Sequence, residues 1–324
     1  MMPDRNTWEI CTLAYEAPCL VLAWVAHHLA LGADRIHLYL DAPNPVVTHA
    51  LKGHPKLRLA LCDDAFWAKH PAGQRPIRQG LRQSALLQQV VDTTDAGWVF
   101  HIDVDEFLFS ETPIRDSLAA LPAEKEHAAV MARERVHLGP SDPDNILSGV
   151  FRLQTFHRFL EQASAADGPA APYLQRGMTA YCGGKTAFRA GCGLPVGVHG
   201  PKPPKPETGG SLPSIALLHF DGLTPGHWVN KRILLLMQQP NAAMHETEHR
   251  RRQLLQMQKL LDDPTALEEF YGILKHYDAE RTFRLTEMGL LKRYPFDPRA
   301  ALAAEFPALS VDLSAAAFDS YAII

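Results

Sequence analysis

Hydrophobic and polar positions along the first hundred residues form short runs whose period switches between that of a strand and that of a helix. The strand-like runs, either β-prone or alternating in polarity, are Trp8–Ala14, Arg35–Leu40, Leu57–Cys62 and Trp98–Ile102. Residues at helical spacing fill Leu20–Leu31, which stops at Gly32, and Gln79–Val91. Strands and helices that alternate at these lengths predict an α/β fold, in which a doubly wound mixed sheet is flanked by helices.

The remainder of the chain is less regular. The pattern predicts a helix over Ile114–Leu121, strands over Ala128–Val136, Lys185–Ala190 and Ile215–Phe220, and loops over residues 161–172 and 200–214. Helical patterns cover Trp228 to Leu261 and Ala266–Leu274, and residues 300–324 form a tail without a clear pattern. We therefore expect one domain over residues 1–235 and a helical C-terminal extension over residues 236–324 that packs on it.

Three carboxylates interrupt an apolar run near residue 100. The segment from Trp98 to Phe109 reads WVFHIDVDEFLF, with Asp103, Asp105 and Glu106 in its middle. A buried strand does not keep unpaired charges in its interior, because removing them from water costs too much free energy. On an extended backbone Asp103 and Asp105 face the same side. Two hard oxygen ligands there suit a divalent cation that holds a diphosphate; alternatively, the acids cap a following helix.

Composition narrows the class of protein. The 324 residues are 46% hydrophobic and 21% charged, as in globular proteins, and the net charge of −4 argues against a nucleic-acid partner. Five cysteines without a CxxC pair predict reduced thiols in a cytosolic protein. A signal-peptide pattern is missing, and no apolar run reaches the about 20 residues that cross a bilayer. We expect a soluble cytoplasmic protein, and peripheral association with a membrane stays open.

Several short motifs resemble those of one enzyme family. Glu16-Ala17-Pro18 is followed by the helix segment Trp24-Val25-Ala26-His27-His28, and much later by Asp103-Val104-Asp105-Glu106-Phe107. In this order they resemble the glycosyltransferase 2-like proteins related to glycosyltransferase family 92. Lys185–Arg189 and His219-Phe220 resemble later elements of the same family. The chain departs from the family pattern at Ala14-Tyr15, at Ala23 and in the loop after Phe220.

The resemblance implies a GT-A-like fold that binds a nucleotide-diphospho-sugar together with Mn²⁺ or Mg²⁺ on a DxD motif. It makes Asp103 and Asp105 the candidate metal ligands, with His219 as a third. Of the two, Asp105 is the expected direct ligand, and Asp103 is expected to face the ribose or a metal-bound water. His219 could equally be a satisfied histidine of the core, and Glu106 is expected to support the site from outside it.

Further residues are candidates for donor binding and catalysis. Donor contacts are expected from Glu16 and Asp41 at strand ends, from Arg78 and Arg82 on the helix before the acids, and from Lys185 and Arg189 on a later strand. Each has a structural alternative, such as helix capping for Glu16 or an exposed helix charge for either arginine of that helix. An inverting displacement also needs a base. Asp221 is the first candidate for it and Glu106 the second.

The function implied by the resemblance is an inverting, metal-dependent transfer of a sugar to a glycan or lipid-linked acceptor. A Mg²⁺-dependent nucleotidyltransferase is an alternative, since paired aspartates at a strand end also serve that chemistry. A second alternative is a catalytically degenerate module that binds glycan without turnover. The sequence leaves the donor sugar, the nucleotide base and the oligomeric state open.

Overall fold

The computed structural model describes residues 6–204, 206–238 and 246–321. Fifteen strands lie within this part of the chain: β1 Trp8–Ala14, β2 Arg35–Leu40, β3 Leu57–Leu61, β4 Trp98–His101, β5 Glu106–Ser110, β6 His127–Val130, β7 Ala132–Leu138, β8 Val150–Leu153, β9 Lys185–Arg189, β10 Val196–Gly197, β11 Gly200–Pro201, β12 Gly209–Ser211, β13 Ile215–His219, β14 His276–Tyr277 and β15 Leu291–Lys292.

Twelve α-helices lie in the same described residues: α1 Pro18–Ala30, α2 Pro45–Leu51, α3 Asp64–Lys69, α4 Gln79–Thr93, α5 Ile114–Ala119, α6 Leu160–Asp167, α7 Pro225–Gln238, α8 Glu248–Leu260, α9 Pro264–Lys275, α10 Ala279–Glu287, α11 Arg299–Glu305 and α12 Ala315–Asp319. Short 3₁₀ turns occupy His157–Phe159 and Gly168–Tyr173. None of these helices is both long and apolar enough to cross a membrane.

The chain folds into two compact units, each assembled from separate segments. The first unit takes the described residues of segments 1–131, 183–217 and 298–311, and the second takes those of 132–182, 218–297 and 312–324. Residue 235, at which the sequence-based division was placed, lies inside α7 of the second unit.

A seven-stranded mixed sheet forms the centre of the first unit, in the order β12-β6-β9-β4-β1-β2-β3. Strand β1 pairs in parallel with β2 and β4, and β2 pairs in parallel with β3. The chain moves outward from β1 through β2 to β3, and β4 then returns to the opposite side of β1. The predicted α/β class, a mixed sheet flanked by helices, is therefore confirmed.

Helix α4 packs on the face of this sheet that carries Cys11, Leu13 and Val99. Its buried side chains there are Leu86, Leu87, Val90 and Val91. Burying one such side chain contributes about 1.5–3 kcal/mol, so this apolar stripe fixes the helix against the strands.

Helix α1 is buried along most of its length and ends where the sequence predicts. Gly32 follows it with φ +99°, a left-handed conformation that glycine adopts without steric cost. Its main-chain N–H donates to the carbonyl of Leu29 at 3.1 Å. The length and end of α1 matter for the site, because its last two turns face strand β5.

The second unit contains β7, β8 and β15, with antiparallel pairing of β8 to both neighbours, and β14 pairs in parallel with β7. A hydrophobic cluster of its helices buries Trp228, Met257, Phe270, Tyr271 and Leu274. A second cluster lies around Tyr277 and Leu285.

Most strands and helices predicted in the first hundred residues are present within two residues of their expected ends. Several predictions were wrong. The strand over Ala128–Val136 is divided at Met131 into β6 and β7, and residues 161–172 form α6 and a 3₁₀ turn instead of a loop. Residues 200–214, also predicted as a loop, contain β11 and β12. Strand β4 ends at His101, so the following acids lie in a turn.

Candidate functional site

The carboxyl ends of β1, β2 and β4 lie side by side because these strands are parallel neighbours. Ligands of open α/β sheets bind outside such ends, at the point where the strand order reverses. In this sheet the reversal falls between β1 and β4. The loops there contain Glu16 after β1 and Asp103 after β4, and Lys185 begins the antiparallel strand β9 at the same edge.

The acids at this edge are arranged by a tight turn between β4 and β5. The N–H of Glu106 donates to the carbonyl oxygen of Asp103 at 3.0 Å. In return, the N–H of Asp103 donates to Oε2 of Glu106, also at 3.0 Å. Aspartate is favoured at the first position of such a turn. Glu106 therefore closes the turn that carries Asp103 and Asp105.

Asp103 has a hydrogen-bond donor at each of its carboxylate oxygens. Its Oδ1 accepts a hydrogen bond from Nε2 of Gln83 at 2.6 Å, and its Oδ2 lies 2.5 Å from Nζ of Lys185. The side chain of Asp103 keeps 31% of its surface exposed, whereas that of Lys185 keeps 1%. Asp103 is thus held from α4 on one side and from β9 on the other, with part of the carboxylate open to solvent.

Charge and burial at this cluster act in opposite directions. Burial by itself would raise the pKa of Asp103, but the neighbouring Lys185 ammonium outweighs it and lowers that pKa to about 2. Burial would likewise lower the pKa of Lys185, but the charges of Asp103 and Glu106 raise it. Asp103 is therefore a carboxylate and Lys185 an ammonium at neutral pH.

His101 lies just before the turn and is completely buried. Burial, and then the positive charge of Lys185, lower the pKa of His101 to about 3, so its imidazole is neutral. Within the described residues neither ring nitrogen has a hydrogen-bond partner. The sequence did not single out this histidine.

Side chains of α1 hold the backbone of β5, immediately after the acids. The indole N–H of Trp24 donates to the carbonyl of Glu106 at 2.8 Å. Nε2 of His27 lies 2.7 Å from the carbonyl oxygen of Leu108. The N–H of Leu108 donates to Nε2 of His28 at 3.2 Å. The Trp-Val-Ala-His-His segment therefore fixes the strand that the acid turn leads into.

These contacts also define the protonation of His28. Because its Nε2 accepts a hydrogen bond, its Nδ1 carries the proton and donates to the carbonyl of Trp24 at 2.8 Å. Burial keeps the pKa of His28 well below its usual value and lowers that of His27 to about 4. Both rings are neutral structural groups.

Asp41, at the end of β2, is bound by two arginines. Its Oδ1 lies 2.9 Å from Arg75 and its Oδ2 lies 2.7 Å from Arg82. Arg82 also donates to the carbonyls of Pro76 and Ile77 and is buried, so it anchors the loop before α4. Arg75 was not predicted from the sequence.

The other predicted donor contacts are dispersed within the first unit. Arg78 is exposed at the start of α4, and the half-buried Glu16 receives a hydrogen bond on its carbonyl from Asn44. Arg189 stacks over the ring of Trp98, with its guanidinium carbon 4.4 Å from the ring centre. Trp98 starts β4, so Arg189 lies at the opposite end of that strand from Asp103. The structure does not bring Arg189 to the acids.

The remaining candidates, His219 and Asp221, belong to the second unit, so the predicted set is divided between the units. His219 is half-buried at the end of β13. Asp221 is bound by Arg232, whose Nη2 lies 2.9 Å from Oδ2, and by the hydroxyl of Thr179 at 2.8 Å. Burial alone would raise the pKa of Asp221, but Arg232 and Lys275 hold it well below its usual value. Such an ion-paired carboxylate is a weak base, which disfavours its predicted catalytic role.

Asp221 forms part of a buried ionic network. Lys275 lies 2.9 Å from Glu134 and 3.4 Å from Asp221, and its side chain has no exposed surface. Glu134 also accepts the N–H groups of Thr179 and Ala180, each at 2.8 Å. Two carboxylates face two cations here, which is the arrangement that lets charges remain in a protein interior.

The chemistry of the acid turn is compatible with a magnesium or manganese ion. Carboxylate oxygens are preferred ligands of these ions, which usually take one or two carboxylates and complete their shell with phosphate oxygens and water. The turn supplies Asp103 and Asp105. Groups of three or more His, Cys, Asp or Glu side chains placed to hold a metal do not occur among the described residues. Phosphate oxygens or water would supply the remaining ligands of a cation at this turn.

Comparisons with known proteins give only distant similarities. No family model and no curated protein matches the chain. Among solved structures, HddC from Yersinia pseudotuberculosis is similar over 47% of this chain and 66% of its own, with 13% identity and a TM-score of 0.27. S. aureus TarS 1-349 is similar over 87% of this chain and 72% of its own, with 12% identity and a TM-score of 0.33.

The galactosyltransferase LgtC, solved with donor and acceptor sugar analogues, is similar over 57% of this chain and 58% of its own, with 13% identity and a TM-score of 0.27. The chain spans less than two thirds of the length of HddC and of LgtC. At these TM-scores none of the three supports a conclusion about the activity of this chain.

Proposed function

We propose that this chain is a metal-dependent glycosyltransferase, which moves a sugar from a nucleotide-diphospho-sugar to a glycan or lipid-linked acceptor with inversion. Asp103 is the observation that carries the proposal. It is a partly exposed carboxylate at the point where the strand order reverses, and it is held by Gln83 and Lys185. Open α/β sheets bind nucleotides at this point.

The resemblance of the acid turn and of the Trp24–His28 segment to the glycosyltransferase 2-like proteins supports the same reaction. The two segments contact each other, because side chains of α1 bind the backbone of the strand that follows the turn. This contact explains why the two motifs would occur together. These contacts support the proposal that a diphosphate binds at the acid turn.

In this proposal Asp103 and Asp105 hold Mn²⁺ or Mg²⁺. When bound, such an ion neutralises the charge that develops on the departing diphosphate. Glu106 binds the main chain of Asp103 within this turn, and Gln83 fixes the carboxylate of Asp103. His219 stays a predicted third ligand. The contacts of Asp221 and Glu106 favour structural roles for both, so we assign no base.

Binding of nucleoside diphosphates tests the proposal most directly. Calorimetric titration with UDP, GDP, CDP and dTDP, each with and without Mn²⁺, should give binding of at least one nucleotide that requires the metal. Asp103→Asn and Asp105→Ala should each weaken that binding at least tenfold. Asp95→Asn is the control, since Asp95 is an exposed acid of the same unit, ahead of β4. Metal-independent binding, or equal binding by the Asp103 variant, would contradict the proposal.

Product analysis then separates the alternatives. A glycosyltransferase should slowly hydrolyse the preferred nucleotide-sugar and release the nucleoside diphosphate. A nucleotidyltransferase would instead release pyrophosphate from a nucleoside triphosphate. A degenerate module would bind without either reaction, and loss of binding in the Asp103 variant would then concern recognition alone.

A further inference from the structure

We propose that Lys185 is the resident counter-ion of Asp103, so that the free protein excludes a lone divalent cation from the turn and takes one up only together with a diphosphate. The identity of the ligand, a diphosphate, rests on the proposed function. The exclusion of a lone cation rests only on the contacts of Lys185.

The position of Lys185 is unusual for a residue that would hold a phosphate. Its side chain is 1% exposed, and its Nζ lies 2.5 Å from Asp103 and 3.4 Å from Glu106. An ammonium with so little exposed surface, already bound by two carboxylates, offers little contact to a substrate phosphate. The sequence-based expectation that Lys185 binds donor phosphates is therefore replaced by a role towards Asp103.

Both oxygens of Asp103 already have a donor. Lys185 occupies Oδ2, and the amide of Gln83 occupies Oδ1. A divalent cation on this carboxylate would lie a few ångströms from the buried ammonium, and the two positive charges would repel each other. The ammonium cannot escape this repulsion by moving into solvent without breaking its buried contact with Glu106.

A diphosphate changes this balance. Its negative charges lie next to the cation and offset the repulsion from Lys185, while its oxygens supply the ligands that the turn lacks. The exposed third of the Asp103 side chain leaves room for such a shared contact. Cation and diphosphate should consequently bind as a pair, each at least tenfold more tightly in the presence of the other.

Equilibrium dialysis of Mn²⁺ measures this coupling on the whole chain. The wild-type protein should retain no excess Mn²⁺ by itself at concentrations where it retains one equivalent in the presence of a nucleoside diphosphate. Lys185→Met keeps the length of the side chain and removes its charge. It should bind Mn²⁺ alone at least tenfold more tightly than the wild type. Lys69→Met, an equal loss of charge on the exposed surface of α3, should behave as the wild type.

The outcomes separate this inference from the proposed function. If the wild type binds no nucleoside diphosphate but Lys185→Met gains Mn²⁺, the counter-ion role stands and the glycosyltransferase proposal fails. Tight binding of Mn²⁺ alone by the wild type overturns the inference, whatever the nucleotides do. This wild-type measurement also decides the question if Lys185→Met does not fold. A folded Lys185→Met without any gain in Mn²⁺ affinity overturns the inference as well.

Discussion

The indole of Trp24 donates a hydrogen bond to the main-chain carbonyl of Glu106 at 2.8 Å, across 82 positions of sequence. Trp24 is completely buried in α1, and Glu106 is the first residue of β5 and the last of the acid turn. Helix α1 therefore sets the position of the turn without contributing an acid to it.

Removing this hydrogen bond should loosen the turn. Trp24→Phe is expected to lower the free energy of unfolding by about 1–3 kcal/mol, because the Glu106 carbonyl loses a partner inside the protein. It should also weaken binding of Mn²⁺ with a nucleoside diphosphate. Urea denaturation and calorimetry measure the two effects. Trp67→Phe is a matched control, since Trp67 is equally buried and its indole N–H has no partner among the described residues. Equal losses of stability and of binding in both variants would show that the smaller side chain, and not the lost hydrogen bond, causes the effect.

Gln83 should act on Asp103 without being required for folding. Gln83→Leu removes the hydrogen bond to Oδ1, and a bond to a charged group is worth about 1.5–3 kcal/mol. We expect at least tenfold weaker binding of the Mn²⁺–diphosphate pair, measured by calorimetry. Gln89→Leu, on the same helix and without a carboxylate contact in the described residues, should leave binding unchanged. A Gln83→Leu protein with wild-type affinity would show that Lys185 alone orients Asp103.

Stability should fall steeply below pH 6.5. Burial lowers the pKa of His27 to about 4 and that of His101 to about 3, and it holds that of His28 well below its usual value. Below pH 6.5 the unfolded chain binds these protons, whereas the folded chain does not bind them until the pH reaches its own lower pKa values. Each histidine thus lowers the free energy of unfolding by about 1.4 kcal/mol for every pH unit by which the pH falls.

Urea unfolding at pH 7.5 and pH 5.5 measures this loss. His101→Leu should reduce the pH dependence of the free energy of unfolding by the contribution of one histidine. The variant replaces a buried ring, without a hydrogen-bond partner among the described residues, by an apolar side chain that binds no proton. His157→Leu, at an exposed position, should leave the dependence unchanged. A pH dependence that is the same in all three proteins would contradict the neutral state of His101.

The members of the buried ionic network around Lys275 should stabilise the protein cooperatively. Lys275→Met leaves Glu134 without a cation in the interior, whereas Asp221 keeps Arg232. Losing one partner of a buried pair costs about 3–5 kcal/mol. The double variant with Glu134→Gln should recover part of this loss. Arg252→Met breaks an exposed pair with Glu248 and should cost under about 1 kcal/mol. Thermal denaturation compares the variants, and additive losses in the double variant would argue against a coupled network.

Local pattern was sufficient for the strands and helices around the site and for the acids themselves. Asp103, Asp105 and Glu106 stand out because charges interrupt an apolar run, and that signal does not depend on the rest of the fold. The same pattern did not distinguish a strand from a turn at these residues. A turn satisfies its polar groups locally, through the two hydrogen bonds between Asp103 and Glu106.

Pairings across long stretches of sequence were not predictable in this way. Lys185 lies 82 positions from Asp103, and no local period indicates that its ammonium turns inward to a carboxylate. Glutamine is common on helix surfaces, yet Gln83 is only 7% exposed, and its amide donates a hydrogen bond to Asp103. Arg82 was expected at a phosphate for its charge, whereas three acceptors of its own chain already bind it.

The interleaving of the two units has a consequence for synthesis of the chain. The first unit includes residues 298–311, where Glu305 of α11 binds His54 at 2.7 Å. A ribosome therefore completes this unit only when it has also made nearly all of the second one. Co-translational folding cannot proceed unit by unit from the N-terminus, and a gene fragment that stops at residue 235 encodes neither unit in full.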